Sequence, residues 1–196
     1  MSLLVALLAL AACSSATTHY YTLQAPSAIA APSGQPVPFL IDVLPVSIPA
    51  SLDQPQIVVR QSDSTLALLD TERWASSLDD EIRGALSAEL TKQLGTQDTA
   101  GLFRPASQPL MRIKVQIRQF DAWPGQRVQL NAGWSIIPAE DADKSPLTCF
   151  GQFDADAPGE YQDMVLAQRR VVIMLADHIA ADARNRGHSP MADCSR

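Results

Sequence analysis

The chain has 196 residues, enough for one domain with its own core and cramped for two. Its composition, 46% hydrophobic and 18% charged, is that of a globular protein, and a formal net charge of −6 repels a phosphate backbone rather than binding it, which sets nucleic acid aside. The 14 prolines are densest before Gln61, so an irregular N-terminal third is expected ahead of more regular structure.

Residues 3–10 are apolar and helix-forming, but a hydrocarbon core takes about 20 such residues to cross. The length fits the apolar middle of an export signal, with Ala11 and Ala12 as the small side chains that a signal peptidase accepts. Leu10-Ala11-Ala12-Cys13 resembles the bacterial lipobox, whose cysteine is acylated and becomes the mature N-terminus. A buried N-terminal helix with an ordinary cysteine is the competing reading, and the polar run 14–18 would stop such a helix at once. Only Met1 and Ser2 precede the apolar run, where a signal usually carries Lys or Arg, so a start upstream of Met1 is expected. Ser14 rather than an aspartate follows Cys13, which points to the periplasmic face of the outer membrane. Acyl chains such as palmitate, at about 0.8 kcal/mol per buried CH₂, would hold it there without a transmembrane helix.

Residues 20–23 (Tyr-Tyr-Thr-Leu) read as a short strand, leaving only residues 14–19 as tether. Residues 24–38 read as a surface loop, and residues 39–43 as a strand ended by Pro45 and Pro49. Residues 56–60 and 65–69 form the arms of a hairpin turned through 61–64. Residues 74–94 carry a helical period, with Leu78, Ile82, Ala85 or Leu86, Leu90 and Leu94 on one face and Gly95 as the terminating residue. From Met111 the period becomes two: Met111, Ile113, Val115 and Ile117, then Val128, Leu130, Ala132, Trp134 and Ile136, each alternating with polar residues about a Pro-Gly turn at 121–126. A further strand at 147–153 follows a polar loop, and residues 159–184 form a second helix whose buried stripe includes Met164, Val172, Leu175 and Ile179. The expected fold is α+β, a mainly antiparallel sheet with two long helices packed on one face. The expected divisions are a signal peptide at 1–12, a lipidated Cys and tether at 13–19, one domain at 20–185 and a flexible tail at 186–196.

Chemistry-bearing patterns are sparse. No phosphate loop, Walker pattern or Gly-x-Ser-x-Gly elbow occurs, and His19, His178 and His188 lack metal-ligand spacing, so neither cofactor nor metal is expected. His178 and Asp182, one helical turn apart, read as a solvated pair, and Asp79, Asp80 and Glu81 as an exposed acidic turn. An enzyme is not expected. Cys149 and Cys194 remain once Cys13 is acylated: they either bridge, pinning the tail to the last strand, or stay apart as a core cysteine and a free one. Arg112, Lys114, Arg118 and Arg127 share the non-core face of two adjacent strands, as a solvated surface or as a surface for an acidic or polypeptide partner.

Leu52-Asp53-Gln54-Pro55-Gln56-Ile57-Val58-Val59-Arg60 and Thr71-Glu72-Arg73-Trp74-Ala75 stand beside the lipobox, Tyr20-Tyr21-Thr22-Leu23 and Ile41-Asp42-Val43-Leu44-Pro45-Val46. Together these resemble the PqiC (YmbA-like) lipoproteins, the auxiliary lipoprotein component of ABC-type transport systems. The resemblance implies an outer-membrane accessory of a lipid transport system that supports membrane integrity, with a periplasm-spanning partner built of MCE (mammalian cell entry) domains and self-association around its end. Asp53, Pro55, Gln56, Arg60, Glu72, Arg73 and Trp74 are then motif residues that either bind the partner or fix the junction of hairpin and helix, with Trp74 buried and the ions pairing across it. A runner-up reading is a lipid carrier holding an acyl chain between helices and sheet; a periplasmic hydrolase would need a cleft joining His178 to a Ser or Asp.

Overall fold

The computed structural model describes residues 16–26, 35–103, 107–139, 145–188 and 193–195; the leader and Cys13 lie outside them. The strands are β1 (His19–Tyr21), β2 (Leu40–Val43), β3 (Gln56–Arg60), β4 (Leu66–Trp74), β5 (Leu110–Trp123), β6 (Arg127–Pro138) and β7 (Leu147–Asp156). The helices are α1 (Leu78–Leu94) and α2 (Tyr161–His188). The α+β architecture with mostly antiparallel strands is as expected, but the strands form two sheets rather than one: β1-β4-β3 and β2-β5-β6-β7.

The long β5–β6 hairpin follows from its alternation. Ile113, Val115, Ile117, Val128, Leu130, Ala132, Trp134 and Ile136 are buried, and they meet α2 through Val172, Leu175, Ile179 and Ala183. Each fully buried aliphatic side chain contributes about 1.5–3 kcal/mol, so this seam contributes substantially to stability. The turn is tighter than expected, because both strands run on to Trp123 and from Arg127, and Gly125 supplies the positive φ of 73°.

The two parallel pairings differ in kind from the hairpins. β2 lies against β5 with Ile41 opposite Met111, and Leu44 N–H and Ser47 N–H continue that edge to the carbonyls of Ile113 and Val115 at 3.0 and 3.1 Å. β1 lies against the far end of β4, with His19 opposite Glu72 and Tyr21 opposite Trp74. β4 runs beyond Leu69 to Trp74, so Trp74 ends a strand and does not open the helix. Its first half pairs with β3, and its second half lies between β1 on one side and Gln56 of β3, opposite Arg73, on the other, with a register shift between Gln56 and Val58.

Ser77 precedes α1, and acidic Asp79, Asp80 and Glu81 occupy its first turn, where the helix dipole favours them. Gly95 terminates it in the left-handed region, φ 59°, and its N–H returns to Thr91 O. α2 extends past residue 185 to His188, and Cys149 bridges Cys194 with an S–S distance of 2.02 Å. The helix thus runs three residues into the stretch expected as tail, and the bridge ties residue 194 to β7.

Candidate functional site: a basic and aromatic sheet face

Among the described residues no helix covers the outer face of the four-stranded sheet. Arg112, Lys114, Arg118 and Arg127 are all exposed on it, as the alternation of β5 and β6 requires. A bulge between Ile117 and Gln119 lets Arg118 and Gln119 both oppose the segment at Asn131, which turns Arg118 toward β7. There its guanidinium stacks over Phe150 at 4.5 Å from the ring centre. Phe150 is 61% exposed and lies across Gly133, where an added Cβ would come within 2.9 Å of the ring, so only glycine allows the ring to lie this close. Arg127 stacks over Trp123 at 4.7 Å, and Arg60 approaches the same ring at 5.9 Å. Arg118, Gln119, Asn131, Phe150, Gly151 and Gln152 line an open depression of about 410 Å³. Arg112 faces Asp42 of β2 at 3.6 Å. A face of guanidinium groups braced on aromatic rings, with amides between them, suits carboxylates and extended polypeptide.

The motif residues divide. Arg60 pairs with buried Asp121 of β5 at 2.8 Å, which ties the small sheet to the large one. Asp121 also accepts from Gln119, whose Oε1 accepts from Asn131 at 2.6 Å, so the tie runs into the outer face. Asp53 closes a 3-10 turn at Ala50–Leu52, and Pro55 O accepts the Trp74 N–H at 2.9 Å. Gln56 sits opposite Arg73. Trp74 is buried as expected, but the ions do not pair across it: Arg60 meets Asp121, and Glu72 meets His19 of β1 at 3.1 Å.

Two carboxylates expected in solvent are buried. Glu81 is 2% exposed and accepts four hydrogen bonds: from Thr22 Oγ1 at 2.6 Å, Leu23 N–H at 2.9 Å, Ser76 Oγ at 2.7 Å and Ser76 N–H at 3.2 Å. It clamps the chain just after β1 to the start of α1. Asp182 is fully buried and accepts from Trp134 Nε1 at 2.8 Å and Ser195 N–H at 2.5 Å, instead of forming a solvated pair with His178. The His178 ring packs instead against Phe153 at 5.2 Å.

Glu72, Tyr21 and His19 form a third polar cluster beneath β1. Burial, then the Glu72 carboxylate, pushes the Tyr21 hydroxyl up to about 12. The hydrogen bond from Tyr21 holds Glu72 below its ordinary 4.5 against the opposing effect of burial, and His19 and Thr71 add to the lowering.

Among the described residues no helix is long and apolar enough to cross a membrane. Two crystal structures resemble the fold well. One, of an uncharacterized protein, has a TM-score of 0.66 and 20% identity over 85% of this chain and 98% of its own. The other, a protein of the DUF330 family from Xanthomonas campestris, has a TM-score of 0.61 and 12% identity over 83% and 92%. At these identities the likeness is one of fold alone. No curated protein matches. The family described as ABC-type transport auxiliary lipoprotein component matches residues 21–180. Because that match runs from the last residue of β1 through most of α2, taking in both sheets, the chain belongs to the family of ABC-type transport auxiliary lipoprotein components.

Proposed function

We propose that this lipoprotein is a non-enzymatic docking subunit on the periplasmic face of the outer membrane, anchored through Cys13. On this reading it receives a periplasm-spanning MCE-domain subunit of an intermembrane lipid transporter and so supports membrane integrity. Its family is one of transport auxiliary lipoproteins and not a known enzyme family. The observation that carries the docking role is the exposed sheet face, where Arg118 and Arg127 are braced on Phe150 and Trp123. Such a surface stands out on a chain of net charge −6 and suits an acidic polypeptide.

The runner-up, an acyl chain held between helices and sheet, meets a filled interior. Ile113, Val115, Leu130 and Ile136 from the sheet and Leu175 and Ile179 from α2 are all fully buried in one continuous cluster. The test is photo-crosslinking in intact envelopes from probes replacing Lys114, Arg118 or Arg127, in the native protein and in Cys13→Ala. Capture of a large inner-membrane protein, reduced in Cys13→Ala, is the expected result. Absence of any such capture from the intact lipoprotein refutes the docking role, and phospholipid co-purifying with the folded domain would favour the carrier.

A further inference from the structure

β7 is the outermost strand of the four-stranded sheet. Its register with β6 is continuous, from Leu147 opposite Ile136 to Asp156 opposite Arg127. The ladder continues in Ala157 N–H to Gln126 O at 2.8 Å, whereas Asp156 O turns away and accepts from Arg170 at 3.0 Å. Backbone groups alternate in direction along an antiparallel strand, so the odd-numbered residues of β7 serve β6. Phe150, Gln152 and Asp154 therefore aim their N–H and C=O groups off the sheet. Among the described residues no hydrogen bond reaches those backbone groups.

The open stretch has defined limits. Arg170 closes one end at Asp156, and the bridge from Cys149 to the C-terminal segment marks the other. Between them the edge carries no proline, lysine or bulge, the devices that ordinarily discourage strand addition.

We propose that a second copy of this chain adds its own β7 here, antiparallel, with the two-fold axis at Gln152. This register sets Phe150 opposite Asp154 of the second copy, and Asp154 opposite the other Phe150. It joins three residue pairs through about six backbone hydrogen bonds. Charge and the limits of the open edge select it among the neighbouring registers. An axis at Asp154 or Ala155 would face aspartate with aspartate. An axis at Phe153 would run Phe150 onto Asp156, whose carbonyl accepts from Arg170, and an axis at Gly151 would run Asp154 onto Thr148, whose carbonyl lies 3.4 Å from Cys194 Sγ beside the disulfide. With the axis at Gln152, each Asp154 meets a ring that already bears the Arg118 guanidinium at 4.5 Å, giving two symmetric Arg118–Asp154 pairs between copies. The edge borders the docking face and draws on its Arg118 and Phe150, but a Gln152 crosslink between two copies reads the dimer without any docking partner, so the two readings can fail separately.

The test uses the full-length lipidated protein in its own membrane. Gln152→Cys places a thiol at the axis, and mild oxidation is expected to give a disulfide-linked dimer. In that background Asp154→Arg or Arg118→Asp should each cut dimer yield by at least about tenfold, and the two together should restore it, a rescue that misfolding cannot produce. Gln152→Pro removes an N–H that β6 does not use, so it should abolish the dimer in native mass spectrometry with the melting temperature little changed. A monomer throughout, a dimer indifferent to Gln152→Pro, failure of the charge-swapped pair to recover, or capture of a different protein from Gln152→Cys each overturns the proposal.

Discussion

Replacing Glu81 by alanine separates a clamp from a solvated acidic turn. The carboxylate accepts from Thr22, Leu23 and twice from Ser76. Thr22 and Ser76 are exposed, and water can take over much of what they lose. The Leu23 N–H cannot be rescued in this way, because Leu23 is fully buried. At about 1 kcal/mol net for each bond, partly recovered by water, plus about 1–3 kcal/mol for one stranded buried donor, the cost is about 3 kcal/mol. For a domain of this size that is a fall in melting temperature of about 6–12 °C. Glu81→Gln keeps the shape but turns donors toward donors and should lose about half as much. Asp80→Ala, which removes only an exposed bond with Ser77 at 3.0 Å, should cost under about 1 kcal/mol. Calorimetry of the three variants reads this directly. If Glu81→Ala melts within about 2 °C of the native protein, or no lower than Asp80→Ala, the clamp does not exist.

Removing the bridge by Cys149→Ser with Cys194→Ser frees a loop of sequence separation 45, worth about 4 kcal/mol of chain entropy, and urea denaturation should show a loss approaching that size. Trp134→Phe withdraws a buried donor from Asp182 and should cost about 1–3 kcal/mol in the same assay, with little change in the m-value. Glu72 titrates below its ordinary 4.5 in the folded state, so its stabilising contribution is complete above that pH and disappears as the pH falls through the lowered value; Glu72→Gln should flatten the acid limb of the stability curve. Tyr21 titrates above its ordinary 10.0, at about 12, so its contribution is complete below pH 10 and is lost as the pH rises through 12; Tyr21→Phe should remove that alkaline decline, followed by tyrosinate absorbance.

The parts of the fold that repeat a local pattern were readable in the sequence. Met111 to Ile117 and Val128 to Ile136 alternate because one sheet face meets α2, and Leu78 to Leu94 recur at helical spacing because one stripe meets the core. The parallel pairings were not readable. His19 meets Glu72 across 53 positions, and no hairpin or turn announces a partner so distant. The single expected sheet therefore became two. Glu81 and Asp182 were misread for a different reason. Glu81 stands three residues after Leu78 and one before Ile82, and Asp182 three after Ile179 and one before Ala183, so each lies on its helix's buried stripe. Position marked them as interior, but residue type outweighed it. The basic face was found because alternation alone assigns it, whereas its aromatic supports, Phe150 and Trp123, depend on cross-strand register that composition does not encode.

β1 contributes three residues, runs parallel to β4, and is followed at once by Ala75 N–H to Tyr21 O at 2.8 Å and by the Glu81 bonds to Thr22 and Leu23. A pull along the strand axis from residue 19 loads these attachments together in shear, and no rung can be peeled off ahead of the rest. Once they yield, only the leading segment is freed, while β2 remains locked along β5 and the long hairpin stays seated under α2. The N-terminal strand thus acts as a mechanical fuse: its release lengthens the connection and spares the core the first load.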